Sequence, residues 1–218
     1  MFFLRSNPSD AAKEIAAAIN TASQQGSVLW LLSGGSNIDL AVDIQKQLSD
    51  QKISVGLIDE RFGAVGHSHS NWKQLIDAGF DFESVIAIPV LQGQNTKEEA
   101  ASEYAAKLQD ALTSANSVIT IFGMGQDGHT SGILPNSPAV SSEDLVTAYT
   151  GPDYERVTTT FKLFPYINQA FLVSFGQSKR EQIIKLETGA DINIQPAQGL
   201  KEIPNLTVMY DADLEPNE

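Results

Sequence analysis

Short apolar runs of strand length alternate along this chain with segments whose apolar residues recur at helical spacing, and that alternation restricts the fold more than any other feature. The strand candidates are residues 28–32 (VLWLL), 53–58 (ISVGLI), 85–90 (VIAIPV), 117–122 (SVITIF), 156–161 (RVTTTF), 170–175 (AFLVSF) and 205–210 (NLTVMY). VLWLL and SVITIF have no polar face, as expected of strands covered on both sides of a mostly parallel sheet. Ser9 or Asp10 is placed to cap a first helix, with Ala11, Ile15, Ala18 and Ile19 on its apolar side and Gly26 at its end. Leu40, Ala41, Ile44 and Leu48 mark a second helix, and Thr96 with Glu99 forms a capping box ahead of a third. The segment after GQSK supplies a fourth. No repeat or long linker divides the chain, so one α/β domain over residues 1–218 is expected.

The polar insertions follow strands, where ligands bind in open α/β sheets. The first is Ser33-Gly34-Gly35-Ser36. Its glycines let the backbone approach a ligand, and the N–H groups of the helix start behind it favour an anion. It matches neither the Walker A loop nor the GxGxxG fingerprint, and a plain strand-to-helix turn would read the same way. The second is Asp59-Glu60-Arg61. Three charges after a buried strand need a solvated cleft or mutual pairing. Arg61 can grip a phosphate or carboxylate with its planar fork of donors, while Asp59 or Glu60 can simply hold it. His67 and His69 follow without a third ligand at metal spacing, and read as exposed loop residues.

The third insertion, Gly123-Met124-Gly125-Gln126-Asp127-Gly128-His129-Thr130, is the most informative. Its glycines keep the backbone thin around an acid and an imidazole, so His129 reads as a general base and Asp127 as its orienting group or a substrate contact. Lys179 stands at the start of the fourth helix, where a phosphate would meet an ammonium and helix N–H groups; a solvated surface lysine is the plainer reading. Arg156 either faces the site or pairs with an acid such as Glu155.

Composition removes several classes of function. Twenty-seven acidic against 14 basic residues give a formal net charge of −13, which repels nucleic acid and anionic lipid. With no cysteine, disulfides and thiolate metal sites are excluded. No apolar run approaches a membrane span and the start carries no secretory pattern, so a cytoplasmic protein is expected, with a monomer as the working assumption.

Taken together, SGGS at 33–36, DER at 59–61 with Ser70-Asn71, GMGQDGHTSGILP at 123–135, RVTTT at 156–160, GQSK at 176–179 and QPAQ at 195–198 resemble the 6-phosphogluconolactonase family, which is related to glucosamine-6-phosphate deaminases. The ordered set spans most of the chain. The resemblance implies a Rossmann-like three-layer α/β/α sandwich, hydrolysis of 6-phospho-D-glucono-1,5-lactone in the pentose phosphate pathway, and no metal or organic cofactor. It also implies His129 as catalytic base with Asp127 beside it, and Ser33, Gly34, Gly35, Ser36, Asp59, Arg61 and Lys179 as phosphate and substrate contacts. The chain departs from the family pattern at residues 62–66, at His69 and at 131–135, and its tail is acidic. Two rivals stand beside this reading. One is a deaminase or isomerase, against which the absence of a carboxylate from residues 130–135 counts. The other is a non-catalytic sugar-phosphate sensor.

Overall fold

Ten strands and five α-helices make up the computed structural model, which describes residues 1–49 and 53–211; the acidic tail lies outside the described residues. Seven strands form one sheet in the order β1 (Phe2–Arg5), β10 (Leu206–Tyr210), β9 (Gln169–Ser174), β6 (Ser117–Gly123), β2 (Val28–Leu32), β3 (Ile53–Leu57) and β5 (Ile86–Ile88), with every pairing parallel. All five residues of β2 are buried, so both faces of the sheet are covered there, as an α/β/α arrangement requires. From β2 the chain moves outward through β3 to β5, then returns to place β6 on the other side of β2. That reversal puts the carboxyl ends of β2 and β6 side by side at the crevice where open α/β sheets bind ligands.

Buried Asn37 holds this junction: its Nδ2 donates to Ser33 Oγ at 2.9 Å and to Phe122 O at 3.2 Å. The helices cover the sheet with alanine-rich faces. Helix α1 (Pro8–Ser23) buries Ala11, Ala12, Ile15, Ala16 and Ile19, and α2 (Ile38–Gln45) packs beside it. The cap of α1 is Asn7 rather than Ser9 or Asp10; its side chain accepts from Asp10 N, and Pro8 takes the first helical position, where a missing N–H costs nothing. Thr96 caps α4 (Lys97–Ser114) as expected, its Oγ1 accepting from Glu99 N at 3.1 Å. The Glu99 carboxylate reaches back to Asn95 N at 3.1 Å rather than to Thr96 N, so the reciprocal half of the box is shifted by one residue. Tyr104 of α4 is buried and donates to Leu57 O at 2.6 Å, fixing the helix to the end of β3. Among the described residues no helix is long and apolar enough to cross a membrane.

Two expected segments belong to a second sheet. At Ile58 the chain turns a corner: Ile58 N donates to Leu32 O in the large sheet, and Ile58 O accepts from Thr159 N. Asp59-Glu60-Arg61 is therefore not a loop but strand β4 (Asp59–Arg61), antiparallel to β8 (Glu155–Thr159), which pairs in turn with β7 (Val146–Thr150). Helix α4 packs on β7 and β8. The small sheet thus stands beside the carboxyl ends of the large one and turns β4 toward them.

Replacing Asn37 by Ala removes the amide that bridges β2 and β6 and leaves two buried acceptors short of a donor. A loss of about 1–3 kcal/mol is expected, read from the shift in urea midpoint.

Candidate active site

Buried Glu60 organises one wall of the cleft. Its Oε1 accepts from Asn71 N at 2.6 Å and Arg61 N at 2.7 Å, and its Oε2 accepts from Ser70 Oγ at 2.9 Å and Trp72 N at 3.0 Å. The carboxylate therefore sits on the free N–H groups at the start of α3 (Asn71–Asp77). Burial raises its pKa above the ordinary glutamate value, and these bonds offset only part of that rise. Of the two acids beside Arg61, Glu60 is the one consumed in structure. It places Asn71 so that Oδ1 accepts from Arg61 Nη1 at 2.9 Å while Nδ2 donates to Asp59 O at 3.0 Å. A Cβ at Gly34 would fall 2.1 Å from Asn71 Oδ1, so glycine at the second position of SGGS is what lets the 33–36 turn pack against the start of α3.

Asp59 faces the cleft instead. Burial raises its carboxyl, against the pull of Arg61, Arg156 and His129. Arg61 lines the cleft, and so does Arg156, which directly opposes it in the β4–β8 ladder. Arg156 does pair with an acid, but Asp153 rather than Glu155: both Asp153 oxygens accept from its Nη2, at 2.8 and 2.9 Å, while Glu155 bonds Lys97 at 2.8 Å. His67 and His69 are structural. His67 Nε2 lies 2.9 Å from Arg61 O, and His69 O accepts from Arg61 Nη1 at 3.1 Å.

The opposite wall is the 123–130 loop. His129 Nδ1 lies 2.6 Å from Asp127 Oδ1, and the carboxylate's need for a donor puts the proton on Nδ1. Nε2 is left with its lone pair and has no protein partner among the described residues. His129 lines the cleft, whereas Asp127 stands behind it. Partial burial raises the Asp127 carboxyl, but the His129 hydrogen bond and charge outweigh it and hold it at about 2. A Cβ on Gly125 would fall 2.2 Å from His129 Nδ1 and 2.4 Å from Asp127 Oδ1, so the pair exists only because that position is glycine.

Three amides from the QPAQ segment and α5 (Arg180–Thr188) carry this loop. Gln182 Nε2 donates to Gln126 O at 3.0 Å, Gln195 Nε2 to Gln182 O at 2.7 Å, and Gln198 Nε2 to Gln195 Oε1 at 2.5 Å. Lys179, just before α5, donates to Met124 O at 2.7 Å. Burial lowers its ammonium pKa, while Asp127 acts in the opposite sense.

These walls enclose a cleft of about 320 Å³. Ser33, Gly34, Gly35, Ser36, Asp59, Arg61, His129 and Lys179 all line it, and Asp127 reaches it through His129. Arg156, left open by the sequence, lines it too, and so do Asn71, Ser131 and Asp153. Asn71 stood within a recognisable Ser-Asn pair; Asp153 carried no sequence signal. Ser131 is distinguished by a φ of 53°, an uncommon conformation for serine, two residues past the imidazole. On a chain of net charge −13, the cleft gathers Arg61, Arg156 and Lys179 against Asp59 and Asp153. The arrangement can take a proton at Nε2 next to a bound anion.

The family model for glucosamine-6-phosphate isomerases/6-phosphogluconolactonase matches residues 7–208. A 6-phosphogluconolactonase of Nostoc sp. (strain PCC 7120) is 30% identical over 209 residues, covering 87% of this chain and 84% of the relative. The crystal structure of a 6-phosphogluconolactonase from Shewanella baltica has a TM-score of 0.80 at 20% identity, covering 96% of each chain. A monomeric glucosamine-6-phosphate deaminase has a TM-score of 0.77 at 19% identity, covering 96% of this chain and 97% of its own. At these identities the structural likeness establishes the fold, which hosts both reactions.

The depressed Asp127 pKa has a measurable consequence. Its folded value of about 2 lies below the ordinary 3.8, so its contribution to stability is present above about pH 4 and is lost as pH falls toward 2. Carboxyl ¹³C NMR should give a midpoint near 2 for Asp127 in the unmodified protein, moving up toward 3.8 in His129→Ala and in Gly125→Ala.

Proposed function

Because the chain belongs to the glucosamine-6-phosphate isomerase/6-phosphogluconolactonase family, we propose that it hydrolyses 6-phospho-D-glucono-1,5-lactone to 6-phosphogluconate in the cytoplasm, as a step of the pentose phosphate pathway. The observation that carries this reading is the His129–Asp127 pair, with Nε2 free at the edge of a cationic cleft. The cysteine-free sequence asks for no oxidising compartment.

The phosphate is gripped where positive charge converges, by the 33–36 turn at the start of α2, Lys179 and the arginines of the small sheet. Holding it fixes C1 of the lactone near His129, replacing a bimolecular encounter by a positioned one. Nε2 takes a proton from water as the water oxygen bonds to C1. The carbonyl π electrons move onto oxygen, and the developing oxyanion is met by cationic or N–H donors of the cleft. When the tetrahedral intermediate collapses, the bond from C1 to the ring oxygen breaks and the imidazolium returns its proton to that oxygen. The product carries a free hydroxyl and a carboxyl group, which ionises. Asp127 stabilises the transient imidazolium without taking its proton. Asp59, between the arginines and the imidazole, positions the substrate or Arg61.

The deaminase alternative needs acid–base help for ring opening and isomerisation. Residues 130–135 (TSGILP) bring no carboxylate to the imidazole, which favours simple hydrolysis. With His129 and Asp127 both present and paired, a non-catalytic sensor is the weaker reading.

Turnover of freshly generated lactone, followed by coupling 6-phosphogluconate to its dehydrogenase, tests the proposal against the spontaneous rate. His129→Ala should lower kcat about 10²- to 10⁴-fold with the fold retained. Asp127→Asn should also reduce kcat while leaving KM nearly unchanged. Hydrolysis no faster than the uncatalysed reaction, or ammonia release from glucosamine 6-phosphate, would replace this reading.

A further inference from the structure

Arg61 and Arg156 are direct cross-strand partners in the β4–β8 ladder, so both side chains leave the same face of the small sheet. Like charges in that relation repel. Each guanidinium also keeps a buried Nε–H without a partner, and Arg156 is 6% exposed. Asp153 on Arg156 Nη2 offsets part of that repulsion, and the rest calls for an attraction that adds no further negative charge.

Tyr154 meets that requirement. Its ring centroid lies 5.3 Å from Arg61 Cζ and 5.9 Å from Arg156 Cζ. The negative face of an aromatic ring attracts a cation but leaves its net charge and most of its N–H donors available. Asp153 already offsets part of the Arg156 charge through Nη2, and the ring adds attraction for both guanidiniums without a further negative charge. The ring is itself fixed. Its hydroxyl lies 3.3 Å from His69 Nδ1, the two rings are 5.1 Å apart, and Tyr154 O accepts from Gly151 N at 2.8 Å in the turn before β8. His69 is in turn bound to Arg61 through its carbonyl, and Asp153 orients the far nitrogen of Arg156. Residue by residue, this cluster holds the two forks at a set spacing on one wall of the cleft.

We propose that Tyr154 is a positioning residue that holds Arg61 and Arg156 as a single grip on the anionic oxygens of the substrate, a role that rests on the function proposed above. It acts in substrate binding and leaves the chemical step at His129 unaltered.

The test compares Tyr154→Leu, which keeps apolar bulk but loses the π face, with Tyr154→Phe, which keeps the face and loses the hydroxyl. KM and kcat for fresh 6-phosphogluconolactone, inhibition by inorganic phosphate, and the urea midpoint are measured on the full chain. In Tyr154→Leu, KM and the phosphate inhibition constant should each rise about tenfold with kcat retained, and in Tyr154→Phe both should stay within about twofold of the unmodified protein. Unchanged KM and phosphate inhibition in Tyr154→Leu overturn the proposal and leave the lactonase reading intact. Equal losses in both variants, or a fall in kcat alone, also overturn it. If the unmodified protein fails to hydrolyse the lactone, the proposed function falls. Calorimetric titration with inorganic phosphate then still decides the role of Tyr154: a tenfold weaker fit in Tyr154→Leu upholds it, and equal affinity overturns it.

Discussion

Parallel pairing between β2 and β6 decides where this chain can do chemistry. Two neighbouring parallel strands end together, so whatever follows Leu32 and whatever follows Gly123 must share one rim. The chain reverses its direction of travel across the sheet at this pair, so no crossover covers the gap between the two loops. The glycine-rich turn and the imidazole loop consequently face each other without any direct bond between them. Asn37 reinforces the junction from below, and the small sheet closes it from the side.

The two acids of the DER segment illustrate how neighbouring residues of one type are separated by strand alternation. Glu60 and Asp59 point to opposite sides of β4. Glu60 is turned toward the start of α3 and accepts four hydrogen bonds, so its cost of burial is met by structure. Asp59 is turned to the cleft, where among the described residues its carboxylate accepts only from Asn71 and has cations around it, which leaves it open to a ligand. A loop would not have enforced this division, because loops lack the two-residue period.

Legibility from sequence followed burial and local chemistry. The run VLWLL corresponds residue for residue to β2, and Thr96 caps α4 as predicted, because a fully covered strand and a helix cap are both written in neighbouring residues. The dyad loop was legible for a similar reason: glycine, acid and histidine lie within five positions. Strands β1 and β7 left no such mark. Phe2–Arg5 is a four-residue edge strand with partly exposed side chains, and Val146–Thr150 lies between polar turns. That DER and RVTTT would pair with each other depends on residues about a hundred positions apart, which no local pattern encodes. Asn7-Pro8 also has the pattern of a turn, so the local residues do not single out Asn7 over Ser9 or Asp10 as the cap of α1. Asp153 and Tyr154 matter only through the arginines that the long-range pairing brings to them.

The support beneath the imidazole loop is built from Gln182, Gln195 and Gln198, which bond to one another and to main-chain carbonyls. A carboxamide neither gains nor loses a proton over the range in which proteins work. These three supports of the loop are therefore indifferent to acidity. A response of the loop to pH has to come from its titratable contacts, Asp127 on the imidazole and Lys179 on Met124 O, rather than from the amides beneath.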